Sequence, residues 1–325
     1  MASVIKNLAE MTETSSTEPI YDTNWCNMPA EIKSKCISKM MLKERLSLRC
    51  TAKAERSLVD CQKIGFYRGR IRKYADRLVF SFYHDKSQMI RKRFRDTTKG
   101  YEFLNYICKV GVFENLMIAF DESAAQKEFE KYTGEITAKH VNLEYSTYEM
   151  VLPILLKMKD GVESIMMYDD GGIDYIFDEI LAISNVQNAR YWHVQGYHAE
   201  DSLYKIWIDE DSKIGSTFQV FANENGSFNR LLMRFADRLV SKDERRVRIR
   251  TDNPDRHILL ERGLDETVGI DYYDQYFRLM MISAEMKKSE YDDNCKEWIH
   301  KIRPGIYGEY SDLEYNLNKN DDFLK

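Results

Sequence analysis

Two kinds of short apolar segment alternate between residues 136 and 250, and this alternation constrains the fold more than any other feature. Strand-like runs begin near residues 136, 162, 189 and 246, and amphipathic helices are predicted at 148–158, 174–183 and 228–240. The strand starts differ by 26, 27 and 57 residues. The last interval is about twice the others, which predicts an irregular unit between them, around residues 207–221.

Strand–helix units of this length are typical of leucine-rich-repeat-like solenoids. The sequence contains no L-x-x-L-x-L-x-x-N signature, so the predicted repeat is structural and degenerate. An ordinary α/β sandwich with elements of similar length is the alternative interpretation.

A basic segment precedes the repeat. Residues 65–99 hold eleven Lys or Arg against three Asp, whereas the whole chain has a net charge of −5. A hairpin is predicted over residues 78–95. The segment is interpreted either as a solvated hairpin or as a surface for an acidic partner, a phosphate or a nucleic acid. The candidate residues are Arg68, Arg70, Arg72, Lys73, Arg91, Lys92, Arg93 and Arg95.

Three short helices are predicted between residues 27 and 62. Pro29 and Glu31 suit a first helical turn. One apolar stripe follows, formed by Ile32, Cys36, Ile37, Met40 and Met41. Helices this short are marginal alone, so they need a shared core and a partner that covers the remaining apolar face.

The same segment resembles an F-box. The resemblance begins at Met28-Pro29-Ala30-Glu31-Ile32, and it continues from Glu44 through Leu46, Leu48-Arg49 and Lys53 to Leu58-Val59-Asp60. More narrowly, 51–60 is similar to the large nematode group that couples an F-box to an FTH-type associated domain. Glu55 is a departure, because many F-boxes place a tryptophan there.

The resemblance implies an adaptor subunit of a Skp–cullin–F-box ubiquitin ligase. The partners implied are a Skp-type adaptor, a cullin bound through it, and an unknown protein substrate held by the C-terminal domain. It also implies which residues contact the Skp-type adaptor: Met28, Pro29, Ile32, Ile37, Leu46, Leu48 and Arg49.

The expected fold class is α+β or α/β, with a small three-helix F-box followed by a leucine-rich-repeat-like curved α/β domain. The expected divisions are a flexible leader at 1–20, the F-box at 21–64, an FTH-like repeat domain at 65–309 and a flexible tail at 310–325. A nucleic-acid or phosphate-binding module that uses residues 65–99 is the alternative function.

Enzymatic function is not expected. The chain has no G-x-x-x-x-G-K-[ST], G-x-G-x-x-G or G-x-S-x-G motif, and the spacing of His193 and His198 fits no known zinc pair. We therefore expect no catalytic residue, metal or cofactor. No apolar run approaches the roughly 18 residues of a membrane span. Six scattered cysteines predict free thiols in the cytoplasm or nucleus.

Overall fold

A computed structural model describes residues 24–74, 77–85, 89–120, 127, 131–144, 148–168, 177–195, 212–222, 227–243, 246–264 and 275–294. The predicted leader and tail lie outside these ranges. The chain divides into two compact units, Met1–Gln62 and Lys63–Lys325.

The first unit contains the three predicted helices, α1 (Ala30–Lys39), α2 (Leu42–Arg49) and α3 (Lys53–Asp60). Pro29 precedes α1 in an extended conformation, and Glu31 lies in its first turn. The Glu44 carboxylate accepts a hydrogen bond of 2.7 Å from the Met41 backbone and so caps α2. Of the hydrophobic side chains described in this unit, Ile37, Leu42 and Val59 are fully buried.

The second unit is built on one mixed sheet of twelve strands, in the order β3-β2-β1-β4-β5-β6-β7-β8-β12-β11-β10-β9. The strands are β1 (Ile64–Tyr74), β2 (Arg77–Tyr83), β3 (Met89–Phe94), β4 (Gly111–Ala119), β5 (Thr137–Glu144), β6 (Ser164–Tyr168), β7 (Tyr191–Gln195), β8 (Thr217–Ala222), β9 (Leu239–Lys242), β10 (Arg246–Arg250), β11 (Arg256–Leu264) and β12 (Gln275–Ser283). β1 pairs in parallel with β4, and each strand from β4 to β7 pairs in parallel with the next one along the chain. The pairs at both ends of the sheet are antiparallel.

Helices connect the parallel strands. The described ones are α4 (Thr97–Val110), α5 (Tyr148–Leu156), α6 (Phe177–Leu181) and α7 (Ser184–Gln187), and α8 (Ser227–Arg234) follows β8. Since crossovers between parallel strands are right-handed and β5, β6 and β7 neighbour each other in chain order, the helices α5, α6 and α7 between them fall on one face of the sheet. The Phe103 ring of α4 packs edge-on against Phe80 of β2, with centroids 5.0 Å apart.

A regular repeat runs through β4–β8. These strands start at residues 111, 137, 164, 191 and 217, and are therefore spaced 26 or 27 residues apart. Counted from Phe113, Ala138, Val162 and Ala189, buried positions recur at the first, fourth and sixth residues. Four complete sets are Phe113, Leu116 and Ile118; Ala138, Val141 and Leu143; Val162, Ile165 and Met167; and Ala189, Trp192 and Val194. The unit predicted to be irregular contains the strand β8, which starts 26 residues after β7 and so continues the spacing.

Two sequence-based assignments are wrong. The helix predicted at 228–240 ends at Arg234, because Leu239 and the residues after it pair with β10 as a strand. The strand predicted at 246–250 exists, but it pairs antiparallel with β9 and β11 and does not belong to the parallel repeat. The strands predicted from the sequence also did not include β1 and β4, the first two strands of the parallel series.

The predicted hairpin over residues 78–95 is confirmed by the antiparallel pairing of β2 with β3, from Leu78 opposite Phe94 to Tyr83 opposite Met89. A helical N-terminal region followed along the chain by a large mixed sheet agrees with the expected α+β class.

Gly69 offers a test of the packing in β1. A Cβ atom at this position would lie 2.5 Å from the buried Phe113 ring, whereas a Cβ at Gly65 on the same strand would meet nothing within 4 Å. We expect Gly69→Ala to lower the free energy of unfolding by about 2 kcal/mol through overpacking. Gly65→Ala should be neutral or stabilising by up to about 0.5 kcal/mol. Urea denaturation of both variants measures the difference, and equal midpoints would contradict the assigned packing.

Candidate functional site

The residues implied to contact a Skp-type adaptor lie in the three-helix unit, with unequal exposure. Pro29 is exposed and Ile32 is 43% exposed, while Met28, Leu46, Leu48 and Arg49 are half-buried. Ile37 is 0% exposed, so its side chain belongs to the core of the unit. The adaptor contacts remain a prediction, and among the described residues 24–62 Ile32 is the most exposed large apolar side chain.

Glu55, the position that departs from the F-box pattern, is integrated into the unit by charge. Its carboxylate lies 3.3 Å from Nζ of Lys33 on α1, and each side chain is only 12% exposed. The Lys33 ammonium also lies 5.6 Å from the centroid of the Trp25 ring. A glutamate is therefore accommodated here because the Lys33 ammonium pairs with its carboxylate and lies against Trp25. The pair joins α3 to α1.

The Glu55 pKa is held below its usual value of 4.5. The largest cause is a hydrogen bond from its own backbone N–H, and the hydrogen bond and charge of Lys33 add to the effect. The carboxylate is therefore ionised at neutral pH and stabilises the contact between α1 and α3.

Arg45, 3% exposed, supplies a polar centre for the unit that the sequence analysis missed. Its guanidinium donates to the carbonyl oxygens of Met40 at 3.0 Å, Ser38 at 3.2 Å and Gln62 at 3.4 Å. The Ser38 and Met40 carbonyls lie at the C-terminal end of α1, and the Gln62 carbonyl follows α3. Carbonyl groups at helix C-termini lack an N–H partner within the helix. The apolar stripe of the sequence ends at Met41, before Arg45, so periodicity gave no signal for this role.

Arg49 forms a two-pronged ion pair inside the unit. Its Nε and Nη2 donate to the two carboxylate oxygens of Asp60 at 2.6 and 3.2 Å. This fork joins α2 to α3, so the Leu-Arg and closing Asp of the motif have a structural role here.

The register of the sheet separates the candidate basic residues into two sets. Arg91 lies opposite Ser81, which lies opposite Arg70, and Arg93 lies opposite Val79, which lies opposite Arg72. With Arg68, these side chains share one face of β1–β3, which we call the arginine face: Arg68, Arg70, Arg72, Arg91 and Arg93.

The other three basic residues lie elsewhere. Lys73 pairs with Leu78 on the core face and is 6% exposed. Lys92 pairs with Phe80, and its Nζ lies 5.8 Å from the Phe103 ring centroid. Arg95 follows the end of β3 and is exposed. The number of basic residues in the sequence segment therefore exceeds the number on any one surface, since five of the eight candidates share a face.

The arginine face continues as a row of aligned positions across the sheet, which we call the central row. It consists of Arg70, Met117, Asn142, Met166, His193, Gln219, Arg278, Glu261 and Arg246. These residues occupy the alternate positions, on the face opposite the repeated core residues. Exposure varies along the row: Arg70, Asn142 and Met166 are half-buried, whereas Met117 is buried and His193 and Gln219 are only 5% and 2% exposed.

The deeply buried end of the central row is internally satisfied. Arg278 donates to Oε1 of Gln219 through Nε at 3.0 Å and Nη2 at 2.8 Å, and its Nη1 lies 3.6 Å from Glu261. Arg246 lies 3.3 Å from the other oxygen of Glu261. Buried charges need such pairing, so this end has a structural role.

Within the described part of the chain, no group of three or more His, Cys, Asp or Glu residues is arranged to hold a metal ion. His193 lies with its Nδ1 3.3 Å from the Tyr191 hydroxyl, and His198 lies outside the described ranges. Burial raises the pKa of the Cys108 thiol to about 12, so the thiolate is scarce at neutral pH. No helix in these ranges is long and apolar enough to cross a membrane.

Replacing Arg45 tests its structural role. Arg45→Met would leave three carbonyl groups without their charged donor, and we expect the unit to lose about 3 kcal/mol of stability. Arg56→Met is the control, because Arg56 is exposed and makes one long bond of 3.4 Å to the Arg49 carbonyl. That change should cost less than about 0.5 kcal/mol. Amide hydrogen exchange of α1–α3 provides the measurement, and equal protection in both variants would refute the assignment.

The Glu55 contact predicts a dependence on pH. Because its pKa is lowered by folding, the stabilisation is present above the usual value of 4.5 and is lost as pH falls through the lower folded value. Glu55→Gln should therefore flatten the acid limb of the stability curve as pH falls below about 4.5. Lys33→Met should flatten it only in part, since the backbone hydrogen bond remains. An unchanged acid limb in Glu55→Gln would exclude this contribution.

Comparison with known proteins agrees with the N-terminal geometry. The F-box domain family matches residues 25–67. No curated protein matches the chain. One solved structure, an S-adenosylmethionine-dependent methyltransferase from Clostridium acetobutylicum ATCC 824, is 13% identical over 85% of this chain and 87% of that chain. Its TM-score of 0.14 is too low to carry an argument about fold or activity. The chain contains an F-box domain, formed by the helices around Arg45 and Glu55.

Proposed function

We propose that this chain is a substrate-recruiting, non-catalytic adaptor subunit of a Skp–cullin–F-box ubiquitin ligase. The observation that carries the proposal is the F-box match at residues 25–67, which supports an adaptor role in such a ligase. The chain would bind a Skp-type adaptor through its F-box and a target protein through its C-terminal domain. Ubiquitin transfer would be performed by other subunits, and this chain would contribute proximity.

The small core of the F-box unit supports a partner on its apolar side. Among its described residues, Ile37, Leu42 and Val59 are fully buried hydrophobic side chains, whereas Met28, Leu46 and Leu48 remain half-buried and Ile32 is 43% exposed. A unit of about 40 residues buries too little apolar surface to be very stable alone. Docking on a Skp-type adaptor would cover these side chains.

We further propose that the second unit is an FTH-type, leucine-rich-repeat-like domain, as in the nematode group that the sequence resembles. The 26- or 27-residue period and the buried first, fourth and sixth positions support a repeat of that kind. On this proposal, the target binds the sheet face opposite the crossover helices, at the β1–β5 end of the central row, where Arg70 and Asn142 are half-buried.

Nucleic-acid or phosphate binding by the basic segment is the second candidate, and the shared face of five arginines favours it. Such binding would weaken steeply as salt concentration rises. A pulldown followed by mass spectrometry and nucleic-acid detection, at low and high salt, separates the two functions.

An exposed apolar residue gives the cleanest test of adaptor docking. Ile32→Asp places a charge where a partner would bury an apolar side chain, and copurification with a Skp-type adaptor should fall at least about tenfold. Ala54→Asp is the matched control, since it adds the same charge to an exposed position in the first turn of α3. The control should copurify near stoichiometrically.

Leu48→Asp combined with Pro29→Ala should also abolish docking while the C-terminal unit keeps its melting transition. The adaptor assignment fails if the unmodified chain does not copurify, or if both sets of changes leave copurification unchanged.

A further inference from the structure

We propose that the edge strand β3 binds an extended acidic segment of the target protein, which adds to the sheet as a further strand. Its acidic side chains would occupy alternate positions and face Arg91 and Arg93. This inference rests on the proposed function, because it assigns a chemistry to the recruited target.

The position of β3 in the sheet supplies the first step. In the strand order of the described residues, β3 lies at one end and pairs only with β2. The outer side of an edge strand carries backbone N–H and C=O groups that can pair with another extended chain. Strand addition at such an edge is a common mode of peptide recognition.

Side-chain spacing supplies the second step. Arg91 and Arg93 point to the same face and are about 6.6 Å apart along the strand. Carboxylates on alternate residues of an added strand have the same spacing, so two of them can lie beside the two guanidinium groups. Arg70 and Arg72 lie on the same face two strands further in, about 10 Å away, where Nη2 of Arg72 is 3.6 Å from the Glu144 carboxylate.

The opposite face of β3 defines the residues between the acidic ones. Ile90 and Phe94 lie there with Lys92, whose Nζ is over the Phe103 ring. The Phe94 ring contacts Phe80 and Phe103, with centroids 5.7 and 5.2 Å apart. This face is therefore mainly apolar, and it would favour apolar residues in the added strand. The preferred segment alternates acidic and apolar residues.

The distribution of charge favours a peptide over a nucleic acid. Residues 65–99 carry +8, so the rest of the chain carries −13 and repels a long polyanion. Main-chain pairing along β3 is available to a peptide and not to a nucleic acid. The ordinary role of an arginine-rich edge is to prevent aggregation, and that role predicts no selective ligand.

Binding of synthetic peptides to the full chain tests the proposal. The first peptide alternates Glu with Val or Thr over a length that spans the six residues of β3. The second has the same composition with its Glu residues contiguous, and the third replaces Glu with Lys. Fluorescence anisotropy should show that the alternating acidic peptide binds about tenfold more tightly than the contiguous one.

Charge-reversal variants test directly whether Arg91 and Arg93 contact the acidic residues of the peptide. Arg91→Glu with Arg93→Glu should weaken the alternating acidic peptide by about tenfold and allow the alternating Lys peptide to bind. Arg95→Glu with Lys99→Glu is the control, because it makes the same change in net charge at exposed residues outside β3. The control should change affinity less than about threefold.

Thermal unfolding establishes that each variant is folded. If the double variant unfolds, Arg93→Glu alone replaces it, since Arg93 is the exposed member of the pair, and a threefold loss is then expected. Equal binding of alternating and contiguous peptides, tighter binding of single-stranded nucleic acid, or an equal loss in the control overturns the proposal. Because the chain alone binds the peptides, a negative result is distinguishable from failure to copurify with a Skp-type adaptor.

Discussion

The second unit depends on the parallel register of β1 and β4–β8. Each strand aligns with the next so that buried residues such as Leu116, Val141, Ile165, Trp192 and Phe218 form one continuous core. A shift of one residue in any pair would turn these side chains to the opposite face. The same register aligns the intervening positions, so the central row and the arginine face are consequences of core packing.

The F-box unit reaches stability by a different route. Its few buried hydrophobic side chains are supplemented by Arg45, which binds carbonyls at helix ends, and by the Lys33–Glu55 pair between α1 and α3. Polar contacts of this kind fix geometry more than they add stability, because charged groups lose hydration when buried. A small unit organised in this way retains apolar side chains at its surface, as a docking module requires.

Local patterns in the sequence were sufficient for much of the fold and insufficient for the pairing of its strands. The short helices, the hairpin of β2 and β3 and three of the parallel strands carry clear apolar periodicity. β1 escaped prediction because arginines and glycines alternate with its apolar residues, and Gly69 makes room for a ring that is distant in sequence. Leu239 fitted the helical period of α8, but its strand pairing with Ile249 depends on a partner that periodicity does not reveal.

The candidate sites show the same division. The F-box was readable because its motif is local, whereas the role of Glu55 depended on Lys33, 22 residues away on another helix. The basic segment was readable as a charge excess, yet Lys73 and Lys92 turn to the core face while Arg91 and Arg93 do not. Only the register with β2 distinguishes them, and a net charge contains no information about register.

Burial explains why arginines on one sheet face have different roles. Arg278 and Glu261 are 5% and 6% exposed, so each must neutralise the other, and neither can be offered to a partner without leaving a buried charge. Arg93 lies at the opposite edge and is exposed, where a guanidinium keeps its hydration and binds a carboxylate at little desolvation cost. The paired charges of Arg278 and Glu261 therefore have a structural role, whereas the exposed Arg93 is suited to recognition.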